Sequence, residues 1–437
     1  MKKYSWANTV VIGTIWSIAL IGLISIASSR QKVYSEVGAV SMAPTALEQS
    51  FEIWTLEGKM EEVLEETLIK YQREYPNIKF KTKVFKNDIY NEMVLNAART
   101  GSLPDMFYSW GDERLKELVI LDVVQDITFE VNKELGDSLR EDTLENYCIG
   151  DRIYGLPAFG WNTVLYCNTE LFAACDLEIP TTYDELLEVV KQFKEKEITP
   201  LMVGGSETWM FSLYYTELVS EKENTSIIKS LSENPLYFRR DGFVDAATKF
   251  KQLIDLEPWQ EDFENTVAAD AVYEFTKGNA AMLLSGSWVS TNIDDIRHSS
   301  IRGKVAVIAF PRYKSTNLGS GVAGYSDGFI LNKASDFEEV NVKSLFVRLM
   351  KDISDRAVEK KGMGLPIYKE QTLENTHFET LKLCEHIFPK GDFHAAYDKM
   401  LNAEFIKGYN EALLEFVRGE SSTAEFIDTL ATGKAKN

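Results

Sequence analysis

The sequence predicts an α/β protein of two lobes, on three observations. At 437 residues the chain is too long for one simple hydrophobic core. Strand-like and helix-like segments alternate along most of it, the order that builds largely parallel sheets covered by helices. Aromatic residues recur where strands end, and ligands of open α/β sheets collect outside those ends.

The chain opens with Lys2 and Lys3 ahead of an uncharged apolar run over residues 10–27. This reads as an export segment at the boundary between a signal peptide and a spanning helix, placing residues 1–30 as signal peptide or uncleaved membrane anchor. The lysines put its start in the cytoplasm and the remaining chain outside. Residues 31–50, rich in Ser and Ala, read as a linker. Residues 51–54 begin a strand. Met60, Val63, Leu64, Thr67, Leu68 and Tyr71 then share one face of a helix that Pro76 stops. Ile78, Phe80, Thr82 and Val84 alternate with lysines as a half-exposed strand. A helix from Asn87 stops at Gly101, and the strand at 103–108 leads into Ser109-Trp110-Gly111-Asp112.

Further along, Thr182 and Glu185 have capping-box spacing, followed by the apolar stripe Leu186, Val189, Val190 and Phe193. Residues 198–203 read as a strand and 204–209 as a loop ending on Trp209. Residues 275–288 read as helix end, Lys277-Gly278-Asn279 turn, buried strand, and a Ser-Gly-Ser loop ending on Trp288. Strands are predicted at 304–310 and 328–331, and helices over the last seventy or so residues.

Charge and composition exclude several functions. The formal net charge of −20 leaves no excess of cations for phosphates, so nucleic acid is excluded as a partner and a neutral ligand fits. Cys148, Cys167, Cys175 and Cys384 lack metal or redox spacing; Cys167 and Cys175 could pair if their backbones approach, and free thiols are the favoured reading. The four histidines form no metal motif, no nucleophile elbow is present, and no cofactor is expected. Residues 319–324 match G-x-G-x-x-G, but a strand rather than a helix follows, so pyrophosphate has no helix terminus to meet. A pair of glycosidase carboxylates far apart in sequence is not excluded by counting.

The recurring feature is an aromatic at a strand or loop exit: Trp54, Trp110, Trp161, Trp209 and Trp288. Each alone fits a core role. Together they favour an aromatic-lined pocket, where rings stack on the apolar faces of sugars. Glu57, Asp112 and Asp327 are the candidate acceptors for ligand hydroxyls, with Tyr325 added on the same stretch as Asp327.

Several motifs carry a family resemblance: Tyr75-Pro76-Asn77-Ile78, Gly101-Ser102-Leu103-Pro104-Asp105, Tyr154-Gly155-Leu156-Pro157, LYCNTELF at 165–172, the segment 179–201, and F-x-x-G-x-A-A-M-x-x-x-G-S-W at 275–288. In order and spacing, over residues 50–430, the chain resembles the extracellular solute-binding proteins of carbohydrate ABC transporters, the group that includes maltose-binding protein. The resemblance implies a two-lobed periplasmic-binding-protein-like fold with three interlobe crossovers, near 157–159, 321–325 and 364–366, and a central ligand cleft. The N-terminal lobe is then 51–158 with 323–365, and the C-terminal lobe 159–322 with 366–437.

The implied function is non-enzymatic binding of a sugar or oligosaccharide and its delivery to ABC permease subunits by lobe closure, outside a bacterial cell and as a monomer. Trp209 and Trp288 match positions that commonly stack on sugar, while Trp54, Trp110, Asp112 and Trp161 lie in loops that commonly contribute. Gram-positive members usually carry a lipid-modified cysteine directly after the apolar segment, and here none precedes Cys148. Anchoring through the apolar run is expected instead. A membrane-tethered sugar sensor and a glycan-cleaving enzyme are the alternatives.

Overall fold

The computed structural model describes residues 32–33, 49–313, 321–338, 340–389 and 392–433. The export segment and most of the linker lie outside these residues. No helix of the described residues is long and apolar enough to cross a membrane. The chain divides into two compact units, one ending at Met106 and one running from Phe107.

The first unit holds β1 (Lys32–Val33), β2 (Gln49–Leu56), α1 (Lys59–Glu74), β3 (Ile78–Phe85) and α2 (Asn87–Thr100). β2 runs parallel to β3, and β1 pairs with β3 antiparallel. α1 buries the stripe expected from its spacing, from Met60 to Tyr71. Gly101 ends α2 in the left-handed conformation that its missing Cβ makes accessible.

β4 (Met106–Ser109) leads into the second unit, which contains α3 (Asp112–Ile120), β5 (Gly155–Asn168), α4 (Tyr183–Glu195), β6 (Leu201–Met202), α5 (Trp209–Ser220), α6 (Asp241–Ile254), β7 (Met282–Gly286), β8 (Val305–Ile308), β9 (Gly321–Leu331), α7 (Val342–Asp355), β10 (Phe393–His394), α8 (Ala403–Val417) and α9 (Thr423–Thr432). Its strands order as β4-β9-β5-β7-β6, with β8 on β5 and β10 on β9. The capping box of Thr182 and Glu185 opens α4, and Leu186, Val189, Val190 and Phe193 are its buried face.

The sheet is less parallel than strand–helix alternation predicts. β6 and β7 are parallel, but β5 is antiparallel to β7, β8 and β9. β5 is fourteen residues long and buried throughout, so its continuous apolar character hides its direction and length. It carries the first predicted crossover and pairs with β9, which carries the second: Pro157 lies opposite Gly328, and Ala323 opposite Asn162. Leu365, in the third, exchanges backbone hydrogen bonds of 2.8 and 2.7 Å with Gly160. The three segments thus run side by side, tied by backbone hydrogen bonds.

Two sequence-level readings shift. The strand at 198–203 is only Leu201–Met202. Trp209 does not end a loop but is the first residue of α5. All four cysteines are free, Cys167 and Cys384 being buried.

Candidate functional site

The site is built where β4, β5, β7 and β9 end or bend in the second unit. β9 loses register with β5 between Gly324 and Asp327, so Tyr325 and Ser326 fall outside regular pairing. This frees Ser326 and Asp327 for side-chain bonding. The Trp161 indole donates from Nε1 to Ser326 Oγ at 2.9 Å, and Ser326 Oγ donates to Asp327 Oδ2 at 3.1 Å. The Tyr108 hydroxyl donates to Asp327 Oδ1. Tyr108, in β4, meets Trp110 edge-on at 5.2 Å between ring centroids.

The same run continues on the other side of Trp161. Its ring meets Trp288 at 5.5 Å, and Trp288 meets Trp209 at 6.0 Å, both edge-to-face. Trp110, Tyr108, Asp327, Ser326, Trp161, Trp288 and Trp209 therefore form one unbroken series of contacts. Sequence reasoning named five of these and missed Tyr108 and Ser326, which reach Asp327 and Trp161 through the β4–β9 and β5–β9 neighbourhoods.

The tryptophans differ in what they offer. Trp161 is 2% exposed and Trp110 5%, so both are framework, Trp110 lying also beneath the Arg114 guanidinium at 4.8 Å. Trp209 and Trp288 are half-buried and keep part of their ring surface open. Glu207 accepts the Trp209 indole N–H at 3.0 Å and fixes that ring. The Trp288 ring folds back over Gly286, where an added Cβ would stand 2.0 Å from it. That close approach is why Ser-Gly-Ser precedes this tryptophan.

Asp112 sits apart from that series in a cavity of about 180 Å³ lined also by Asn146, Lys229, Ala323, Phe393 and His394. The sequence presents it through a strained turn. Gly111 has φ 69° and ψ −147°, a region open only to glycine, and Asp112 itself has φ 50°. Asn146 Nδ2 donates to Asp112 Oδ2 at 2.7 Å, and Asn146 Oδ1 accepts from the Tyr325 amide at 3.4 Å. Burial pushes the Asp112 carboxyl up to about 7, against the opposing effect of the Asn146 hydrogen bond.

This has a stability consequence. Between the ordinary 3.8 and about 7 the folded protein holds a proton that the unfolded chain has released. Stability of the ligand-free protein should therefore fall as pH rises across that window and level off above it. Urea midpoints from pH 4.5 to 8 should show this slope, and it should diminish in Asp112→Asn.

The remaining predicted residues take other places. Tyr325 is buried, with Phe388 and Phe393 rings at 5.9 and 5.8 Å, so its side chain packs the crossover. In the first unit Trp54 lies inside β2, with Nε1 donating to Glu52 Oε1 at 2.6 Å and the Lys83 ammonium 5.0 Å from its ring. Glu57, just past β2, is exposed. Among the described residues no group of His, Cys, Asp or Glu is arranged to hold a metal ion. Residues 321–324 of the glycine motif lie in β9, so no helix terminus follows them.

The family model for bacterial extracellular solute-binding proteins matches residues 54–343. The chain belongs to that family. It is 21% identical over 296 residues to the Multiple sugar-binding protein of Streptococcus mutans, covering 64% of this chain and 69% of that relative. Its fold is that of two-lobed solute-binding proteins: a structure from work on xylan utilization by Caldanaerobius polysaccharolyticus superposes with TM-score 0.79 at 21% identity, covering 88% of this chain and 99% of the other. A chitin oligosaccharide binding protein gives TM-score 0.78 at 18% identity, covering 89% and 98%. This family member thus has an extracytoplasmic place of work and a binding role, in keeping with the resemblance carried by its motifs.

Proposed function

We propose that this solute-binding protein captures a neutral sugar or oligosaccharide between its lobes and delivers it to an ABC import permease by lobe closure, without chemical turnover. The observation that carries the reading is the continuous series from Trp110 to Trp209, ending on two half-open indole rings. Indole faces match the C–H faces of pyranose rings, and the carboxylate of Asp327, with that of Asp112 where it is ionised, accepts hydrogen bonds from ligand hydroxyls. Ligand contacting both lobes favours the closed state because only that state makes both sets of contacts. Saccharide-binding relatives and neighbours support the ligand class.

The uncharged run at residues 10–27, with no cysteine before Cys148, supports tethering by the apolar segment rather than by lipid. The carboxylates of the site have structural partners, which supports a binding role.

A thermal-shift screen tests this reading. Galactose, glucose, xylotriose, chitotriose, raffinose and maltotriose are added to the purified protein, and at least one should raise Tm in a concentration-dependent way, since binding only the folded state stabilises it. A flat response to all of them removes the saccharide assignment.

A further inference from the structure

We infer that Asp112, positioned by Asn146, selects ligands by charge: the cavity it floors admits neutral or cationic polyols and excludes anionic ones such as uronates. The inference rests on the saccharide reading and adds a specificity rule to it. Three carboxylates and two ammonium groups line this cavity. Their charges do not simply cancel in space. Lys116 is paired with Glu113 on α3, and Lys229 with Glu145. Both lysines stand well into solvent, at 46% and 38% side-chain exposure, where water and salt screen them. Asp112 is more withdrawn and forms no ion pair, with one amide donor for its carboxylate; Lys229 attracts it from a distance, against the repulsion of Glu145 and Glu113.

The other groups facing it bring no compensating cation. His394 is buried between Ser220 Oγ and the Ala395 carbonyl, each 2.8 Å from a ring nitrogen, and burial holds it down to about 4. It is therefore neutral near pH 7. Burial raises the Cys148 thiol and takes the Tyr147 phenol well above its usual value, so these stay neutral as well. Above about pH 7, where Asp112 is ionised, a ligand entering this cavity meets a net negative charge.

The turn at Gly111 and one hydrogen bond from Asn146 hold that carboxylate. An added Cβ at Gly111 would lie 2.2 Å from the Asn146 carbonyl oxygen, so the turn and the 146 backbone lock together. Asn146 then fixes the carboxylate on one side and reaches the Tyr325 amide in β9 on the other. Asn146 is a positioning residue, and Asp112 is the group that reads ligand charge.

The test is isothermal titration of the full chain with matched sugars: galactose and galacturonate, glucose and glucuronate, xylotriose and its glucuronosyl-substituted form. At pH 8 the acidic member of any binding pair should bind at least about tenfold more weakly than the neutral one. At pH 5.5, with Asp112 protonated, that ratio should narrow. Asp112→Asn should bring the ratio close to one at pH 8, and Asn146→Ala should reduce it and move its pH midpoint. The wild-type pH dependence decides the matter even if a variant misfolds. Equal affinity for acidic and neutral members at pH 8, or a ratio unchanged in folded Asp112→Asn, overturns this inference and leaves the saccharide reading standing. Failure of every neutral sugar to bind overturns both.

Discussion

Replacing Trp288 with alanine is expected to weaken saccharide binding by about 1–3 kcal/mol, or about five- to 150-fold in Kd. The ring is half-buried and braced edge-on by Trp161 and Trp209 at 5.5 and 6.0 Å, so it meets a ligand without first being ordered. A pre-set platform loses little conformational entropy on binding, which is what makes aromatic anchors effective. Gly286 is spared by this change, since it only relieves the close approach of the ring. Titration of the variant, with its urea midpoint measured alongside, separates a lost contact from a lost fold. Unchanged affinity in a folded variant would return Trp288 to the core.

The second large effect is on the fold itself. Gly111→Ala should destabilise the protein by about 3 kcal/mol or more. Two causes add: a non-glycine residue at φ 69° and ψ −147° is strained, and its Cβ would lie 2.2 Å from the Asn146 carbonyl oxygen. Either the turn or the 146 backbone must shift, and both carry Asp112. Urea denaturation should show the loss, and a saccharide titration should show weakened binding in what remains folded. A variant within about 0.5 kcal/mol of wild type, the usual range for neutral surface changes, would contradict this account of the turn.

These two positions show what was legible in the sequence and what was not. α1 and α4 could be read residue by residue, because a 3.6-residue apolar period and a capping box are local signals. The aromatic set was legible as a set, since tryptophans after strands stand out without knowledge of pairing. The direction of β5 was not legible. A strand buried on both faces has no alternation to report, and its antiparallel neighbours β7 and β9 arrive more than a hundred residues later. The polar bonds of the site depend on tertiary neighbours, so Tyr108, Ser326 and Asn146 carried no mark in sequence. Each is an ordinary residue whose partner is 165 or more positions distant, or, for Asn146 and Asp112, 34.

Tyr325 illustrates the opposite error source. It lies next to Ser326 and Asp327 in sequence, yet alternation along β9 and the break in register send its ring into the cluster with Phe388 and Phe393. Proximity along a strand does not give a shared face. Trp110 and Trp161 similarly occupy predicted positions as buried supports, leaving Trp209 and Trp288 to present open surface.

The most direct measurement of the central claim is a tryptophan-fluorescence titration with neutral oligosaccharides, in wild type and Trp288→Ala. The rings of Trp161 and Trp209 both contact Trp288, so a sugar on an open face of Trp288 or Trp209 alters the emission of the group. The expected result is a saturable change with at least one oligosaccharide, shifted to higher concentration in Trp288→Ala. A spectrum that none of these sugars perturbs, in a protein that melts cooperatively, would contradict the assignment of this tryptophan series as a saccharide site.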